Sequence, residues 1–419
     1  MTSASPPTAP TAPARPRVPL APVLSVASFG NAGAARPRSV LDAGQARLVT
    51  SGRIALALAL RELGVAAGDG VLLPAYHSLS MVPPVLWRGA TPQFYRVDGA
   101  ARADLADIGA LCDADPRIKA LVATHYFGFP QDLPALRALC DARGIALVED
   151  CAHAFFGEFA GRPPGAWGDY AIASSMKFFP MYEGGCLVSA RHALDAVQLH
   201  SAGPGFEAKV ALATLEHSFA YGRLAPLRAV LAPLMGAKDW LWRRIKARRI
   251  EAGRPADAAL APGSSDSDAS FDPRWLDKRS SWFARWLLAR VSGARIVALR
   301  RRHYLRLQQA LGALPGCRPL HATLPDGVCP WLFPLWFDDA ADADAAFARV
   351  RRAGLPVVRF AETLWPGVDA ARCPGSVRLS RQVLAFPCHQ ELDAAELDWM
   401  TARLAEVLPE VQPPEVLPA

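Results

Sequence analysis

No two cysteines stand in CxxC spacing. The eight cysteines, at positions 112, 140, 151, 186, 317, 329, 373 and 388, occur singly, several of them inside apolar runs. That excludes a disulfide frame and a zinc site, so no metal is expected, and it points to buried free thiols in a reducing cytoplasm. No uncharged apolar run reaches the roughly 18–20 residues that cross a bilayer. Residues 1–22 lack the apolar core of a signal peptide; rich in Pro, Ala, Ser and Thr, they read as a disordered tail. The net charge of +7 is spread along the chain and comes with no DNA- or RNA-reading motif, so nucleic acid is not an expected partner.

What is present is enough for a large core: 419 residues, 51% hydrophobic against 20% charged. The length suits two domains. Short apolar runs alternate with helical stretches. Strands are expected at Val71–Pro74, Thr91–Val97, Ile118–Thr124, Ile145–Asp150, Gly168–Ala173 and Cys186–Ser189. Helices are expected at Ile54–Leu63, Met81–Arg88, Ala103–Cys112 and Leu133–Arg143. The alternation predicts an α/β fold with a mostly parallel sheet covered on both faces.

The stretch Ser174–Gly185 organises the rest. Lys177 lies among apolar residues on a loop between two buried strands and is followed by Glu183-Gly184-Gly185. Desolvation lowers an ammonium pKa, and a neutral amine can form a Schiff base. Glycines let the backbone turn and a flat ligand approach. Upstream, Ser51-Gly52-Arg53 opens an Ala/Leu-rich helix; this is either a phosphate cradle at a helix N-terminus or a plain serine cap. Tyr76 and His77 follow a strand end, where a ring can stack on a cofactor or simply pack. Asp150 ends a buried strand and is costly there unless a cation or donor meets it; a helix cap is the alternative role. His153 is three residues on, and Lys177 follows Asp150 by 27 residues, which allows both to return to one sheet edge. In that order, a cradle, a ring, an acid and a lysine describe a pyridoxal 5'-phosphate (PLP) site.

These motifs resemble those of the DegT/DnrJ/StrS family of PLP-dependent sugar aminotransferases. Its Ser-Gly-Thr turn is similar to Ser51-Gly52-Arg53. Its Glu-Asp-x-Ala-x-Ala segment is similar to Glu149–Ala154, and its lysine with Glu-Gly-Gly six residues on to Lys177 and Glu183–Gly185. The likeness covers residues 45–200 and resumes at Arg300–Tyr304, Trp331–Arg359 and Val383–His389. It implies the PLP-transferase fold type I, with a large sheet domain and a small C-terminal α+β domain. It implies Lys177 and Asp150 as catalytic groups. The cofactor contacts would be Ser51, Gly52, Arg53, Tyr76, His77, Asp150, His153, Ser174 or Ser175 (Ser174 favoured) and Lys177. Arg53 replaces a small hydroxyl residue, and the family's Gly-Tyr-Asn-Tyr-Arg type motif has no counterpart. Lys177 argues against the related dehydratases, which carry histidine there.

The resemblance implies transfer of an amino group, from glutamate, to a keto group of a nucleotide-activated deoxysugar for polysaccharide or glycoconjugate synthesis, in a cytoplasmic homodimer. Two alternatives are an aminotransferase for a non-sugar ketone and a non-catalytic PLP-fold regulator or membrane-associated assembly protein. The expected divisions are a disordered tail over 1–35, a PLP-binding domain over 36–290, a small domain over 291–412 and a tail over 413–419. An atypical insertion spans about 203–275. In it, Leu224–Met235 is mostly apolar and interrupted by Pro226 and Pro233, and Trp240–Trp242 leads into a basic cluster. Residues 224–250 are thus a candidate peripheral membrane contact. Ala252–Phe271 reads as a surface loop, Ser281–Leu311 as helix with Arg300–His303 on a solvated face, and Pro356–Phe360 as a strand.

Overall fold

The computed structural model describes residues 15–30, 36–251 and 270–409. Seven strands form the main sheet: β1 (Gln45–Val49), β2 (Gly70–Pro74), β3 (Thr91–Tyr95), β4 (Ile118–Thr124), β5 (Ala146–Asp150), β6 (Tyr170–Ser174) and β7 (Gly185–Ser189). Their spatial order is β1-β7-β6-β5-β4-β2-β3. From β3 to β6 the neighbours are parallel, and β7 and β1 add an antiparallel edge. Parallel neighbours need long crossovers. Helices supply most of them, α2 (Val82–Trp87), α3 (Leu105–Ala114) and α4 (Leu133–Arg143), while α1 (Gly52–Glu62) joins β1 to β2. Strands β2, β6 and β7 are buried at every position, as apolar strands covered on both faces are. The expected α/β class is the observed one.

Beyond the sheet come α5 (Pro204–Ala220), α6 (Ala225–Glu251), α7 (Trp282–Arg290) and α8 (Gly293–Leu311). A three-stranded antiparallel sheet follows, built from β8 (Cys317–Pro319), β9 (Leu332–Phe337) and β10 (Val383–Pro387). It carries α9 (Ala340–Arg352), α10 (Pro374–Gln382) and α11 (Ala394–Val407). One apolar cluster runs through both sheets: Leu72, Leu121 and Leu147 of the first join Phe333, Leu335 and Phe386 of the second. This contact fixes the second sheet beside the C-terminal ends of the main strands.

Several expectations change. Residues 15–30, expected inside a disordered tail, pack on the body. Val18, Val23 and Leu24 are buried, and the Pro19 carbonyl lies 3.0 Å from His389 Nε2. Residues 1–14, 31–35 and 410–419 lie outside the described residues, as does most of the expected loop at 252–271. Pro233 does not break α6, which runs continuously through it. Pro356–Phe360 is not a strand: only Val358 bridges, to Ala385. Pro356 has no N–H to extend a ladder. Arg300–His303 is not a solvated run, because Arg300 is fully buried and His303 nearly so. Among the described residues no helix is long and apolar enough to cross a membrane.

Candidate active site

An open cleft lies at the C-terminal ends of β5 and β6. Ligands of open α/β sheets bind at such strand ends. Three pieces of the main domain meet there: the first turn of α1, the segment after β5 and the loop after β6. Their approach depends on Gly185. A Cβ at that position would lie 2.4 Å from the Ser51 carbonyl carbon, so only glycine lets β7 pass the start of α1. Ser51 caps α1, its Oγ accepting from Ile54 N–H at 3.3 Å. Ser51, Gly52 and Arg53 all line the cleft. Arg53 is also tied down, since Nη1 donates to the carbonyl of Ser270 and lies 3.3 Å from its Oγ.

Asp150 sits at the tip of β5, 6% exposed. Its Oδ1 accepts from Ala152 N–H at 2.9 Å and its Oδ2 from Thr124 Oγ1 at 3.1 Å. Burial pushes its carboxyl above the ordinary range, while the Ala152 N–H, the Lys177 charge and Thr124 pull the other way. A carboxylate can accept about four bonds, so this one retains capacity for a further donor. His153 is also buried. Burial and the Lys177 charge hold its pKa well below normal, which leaves the imidazole neutral. Its ring stacks on Trp331 at 3.8 Å between centroids, and Nδ1 accepts from Phe127 N–H at 3.4 Å.

Lys177 is half-buried rather than enclosed. Its Nζ stands 4.6 Å from the centre of the Trp331 ring, a cation–π distance. Its carbonyl accepts from Arg300 Nη2 at 2.7 Å. Ser174 faces the cleft, whereas Ser175 is buried behind it, its N–H bonded to the Gly184 carbonyl at 2.9 Å. Glu183 is buried too, and its Oε1 accepts from Ser280 Oγ, Ser281 N–H and Ser281 Oγ, each at 2.9 Å. That acid anchors the lysine loop to the start of α7.

Tyr76 and His77 do not reach the cleft. The Tyr76 ring packs within the core against Tyr126 and Phe360. Both nitrogens of His77 are engaged, Nδ1 with the Ala75 carbonyl at 3.0 Å and Nε2 with Trp365 N–H at 3.2 Å, and its ring stacks on Phe94. Burial lowers the His77 pKa to about 4. The wall expected from these rings is made by Ser78, Ser80, Met81 and Phe360 instead. Thr124, Arg300, Trp331 and Phe360 were not legible as site residues. The last three come from distant parts of the chain, and Arg300 is hidden in a run of arginines.

A buried cluster of His125, Glu149 and Cys151 brings possible ligand atoms within 4.8 Å of one another. Glu149 is already committed there, accepting from the N–H groups of Gly165, Trp167 and Gly168 and lying 3.2 Å from His125 Nε2. It pins the turn that leads into β6.

Residues 38–229 match the profile of the DegT/DnrJ/EryC1/StrS aminotransferase family. Across that stretch, just under half of the chain, it is similar to the family. The matched region carries Ser51, Asp150, His153, Ser174 and Lys177; Arg300, Trp331 and Phe360 lie beyond it. Among curated relatives, UDP-N-acetyl-3-dehydro-α-D-glucosamine 3-aminotransferase of Acidithiobacillus ferrooxidans is 36% identical over 151 residues, which is 35% of this chain and 40% of that protein. L-glutamine:scyllo-inosose aminotransferase of Streptomyces griseus is 35% identical over 159 residues, 37% of each. The chain thus matches about two fifths of the length of these relatives. Over a wider span the fold is shared with Spr1654 of Streptococcus pneumoniae, solved in its PLP form. The TM-score is 0.65 at 14% identity, covering 95% of this chain and 100% of that one. That likeness is one of fold.

Proposed function

We propose that this protein is a PLP-dependent aminotransferase that moves an amino group, from glutamate, to a keto group of a nucleotide-activated deoxysugar for polysaccharide or glycoconjugate synthesis. The observation that carries this is the convergence of Lys177, Asp150, His153 and the start of α1 on one cleft.

The residues suit the cofactor. The open first turn of α1 combines backbone N–H groups with the positive end of a helix dipole, which favours a phosphate. Ser51, Gly52, Arg53 and Ser174 would hold it. Asp150 has spare acceptor capacity for a pyridine N–H, and neutral His153 would meet the ring's oxygen. When bound, PLP supplies an electron sink that stabilises a carbanion. Lys177 Nζ would hold the cofactor's carbonyl carbon and, once freed as an amine, take the proton from the amino donor's α-carbon. Asp150 would accept from the ring nitrogen and so hold a proton there. Trp331 and Phe360 border the cleft on the side of the second sheet and would exclude water from the reacting carbon.

The relative acting on a nucleotide sugar supports the sugar acceptor. A second reading is a non-sugar ketone, favoured by the relative named for the cyclitol ketone scyllo-inosose and by the missing Gly-Tyr-Asn-Tyr-Arg type motif. The family resemblance supports a homodimer, and eight free cysteines support a cytoplasmic setting. An absorbance spectrum of the PLP-loaded protein, before and after glutamate, tests the reading. Conversion of the carbonyl form of the cofactor to its amine form is expected. A spectrum unmoved by any amino donor overturns the transaminase assignment. A panel of keto sugar nucleotides and cyclitol ketones then separates the two acceptors.

A further inference from the structure

Helix α6 is exposed to an unusual degree. It runs for 27 residues, Ala225–Glu251, and every residue in it whose side chain is described is exposed or half-buried. Val230 is 75% exposed, Trp240 50% and Leu227 38%. Helices in proteins owe most of their stability to packing of an apolar face. This one also contains Pro233 and Gly236, the two residue types least suited to a helix interior. A helix of this composition calls for a surface to lie against.

The sequence of α6 is divided along its length. Residues 225–237 carry one charge, Arg228. Residues 238–251 carry Lys238, Arg243, Arg244, Lys246, Arg248 and Arg249 against Asp239 and Glu251. The helix as a whole therefore has seven cations and two anions, a net of +5 out of the chain's +7. Trp240 and Trp242 stand at the junction, with the Arg244 guanidinium 4.1 Å from the centre of the Trp240 ring. Apolar residues, then tryptophan, then cations is the order of chemistry met on passing from acyl chains through headgroups to water. The apolar half is about 20 Å long as a helix, too short for a hydrocarbon core of about 30 Å, so it suits lying in the interface. Leu224, just before α6, belongs to the same apolar cluster as Phe283 and Trp286, so the root of the helix is firmly seated.

We infer that α6 docks this protein on an anionic bilayer surface. Charge selects that occupant over a second copy of the chain. Two copies meeting through α6 would bring +5 against +5, whereas phosphatidylglycerol headgroups neutralise the basic half and accept the tryptophans. The inference is independent of which ketone the cleft accepts. It places the enzyme beside lipid-anchored chemistry.

Co-sedimentation of the full-length, PLP-loaded protein with phosphatidylcholine vesicles, with and without phosphatidylglycerol, tests it. Binding to the anionic vesicles alone, weakened by added salt, is expected. Each interfacial cation contributes roughly fivefold, so the triple variant Arg244→Glu, Arg248→Glu, Arg249→Glu should lose about a hundredfold or more in affinity. Trp240→Ala should weaken binding with no change in salt dependence. Equal binding to both vesicle types, or unaltered binding by the triple variant, overturns the inference. So does a change in molecular mass by light scattering in the triple variant, which would assign α6 to subunit contact. An unchanged cofactor spectrum in each variant shows that the body has kept its fold.

Discussion

Arg300 Nη2 donates to the carbonyl of Lys177 at 2.7 Å. The same guanidinium donates through Nη1 to the carbonyls of Pro330 and Trp331, at 3.1 and 2.9 Å, and through Nε to Gln390 Oε1 at 2.9 Å. Gln390 in turn donates to the Phe178 carbonyl at 2.8 Å. One buried cation thus sets the backbone of the lysine loop and of the tryptophan that touches the lysine's amine. Burial lowers its pKa, and the fixed carbonyl dipoles compensate in place of a carboxylate.

Arg300→Ala should therefore destabilise the fold by about 3–5 kcal/mol, because it strands several buried carbonyls. Arg300→Lys keeps the charge and loses the fork, so it should fold while holding the cofactor less tightly. Urea titration reads the first effect and the cofactor's absorbance during dialysis the second. Wild-type retention in Arg300→Lys would show that the fork does not position Lys177.

Lys177→Ala should lower turnover by about a hundredfold to ten-thousandfold, the usual range for a positioned proton-transfer group. It should also remove the carbonyl-linked absorbance band, with the melting temperature little changed because the side chain is half-buried. Asp150→Asn is expected to leave the band and lower the rate. Equal rates for both variants and wild type would place the chemistry elsewhere.

Gly185→Ala is the sharpest test of how the cleft is assembled. The new methyl would press on the Ser51 backbone, and overpacking of this kind costs about 1–3 kcal/mol. The turn that would hold phosphate must shift, so a weaker cofactor dissociation constant is expected from equilibrium titration. Gly203→Ala is not a matched control, since its φ of +94° strains any side chain; Gly205→Ala, with open space around it, is.

Stability should depend on pH through Glu183. Burial raises its carboxyl from 4.5 to about 7, against the opposing donors Ser281 and Ser280. The folded state then binds the proton more tightly than the unfolded chain. The contribution to stability is complete below about pH 4.5 and is lost as pH rises through about 7. The shift corresponds to roughly 3 kcal/mol. The Glu183 component makes stability fall with rising pH across that window, while the buried His77 and His153, with lowered pKa values, act in the opposite sense, so the test is the difference between wild type and variant. In Glu183→Gln the Glu183 component should vanish; an identical slope in both proteins would assign the dependence to other groups.

Much of this molecule was legible in one dimension. The expected bounds of β4 and α4 match the structure residue for residue, because each is a dense apolar or amphipathic run with clear stops. Asp150 and Lys177 stood out because an acid at a strand tip and a lysine between buried strands are locally anomalous. Their meeting at one sheet edge follows from two neighbouring parallel strands, which alternation already implied. Local sequence determined these features because hydrogen-bonding period, caps and turn residues act over a few positions. Tertiary structure alone decided the rest. Whether Tyr76 or Ser78 faces the cleft depends on the core that takes up the Tyr76 ring, against Tyr126 and Phe360. Whether Arg300 is solvated or buried depends on carbonyls 30 and 123 residues away. A guanidinium looks the same in sequence in either setting, and only the packing of the second sheet against the first supplies the acceptors that make its burial stable.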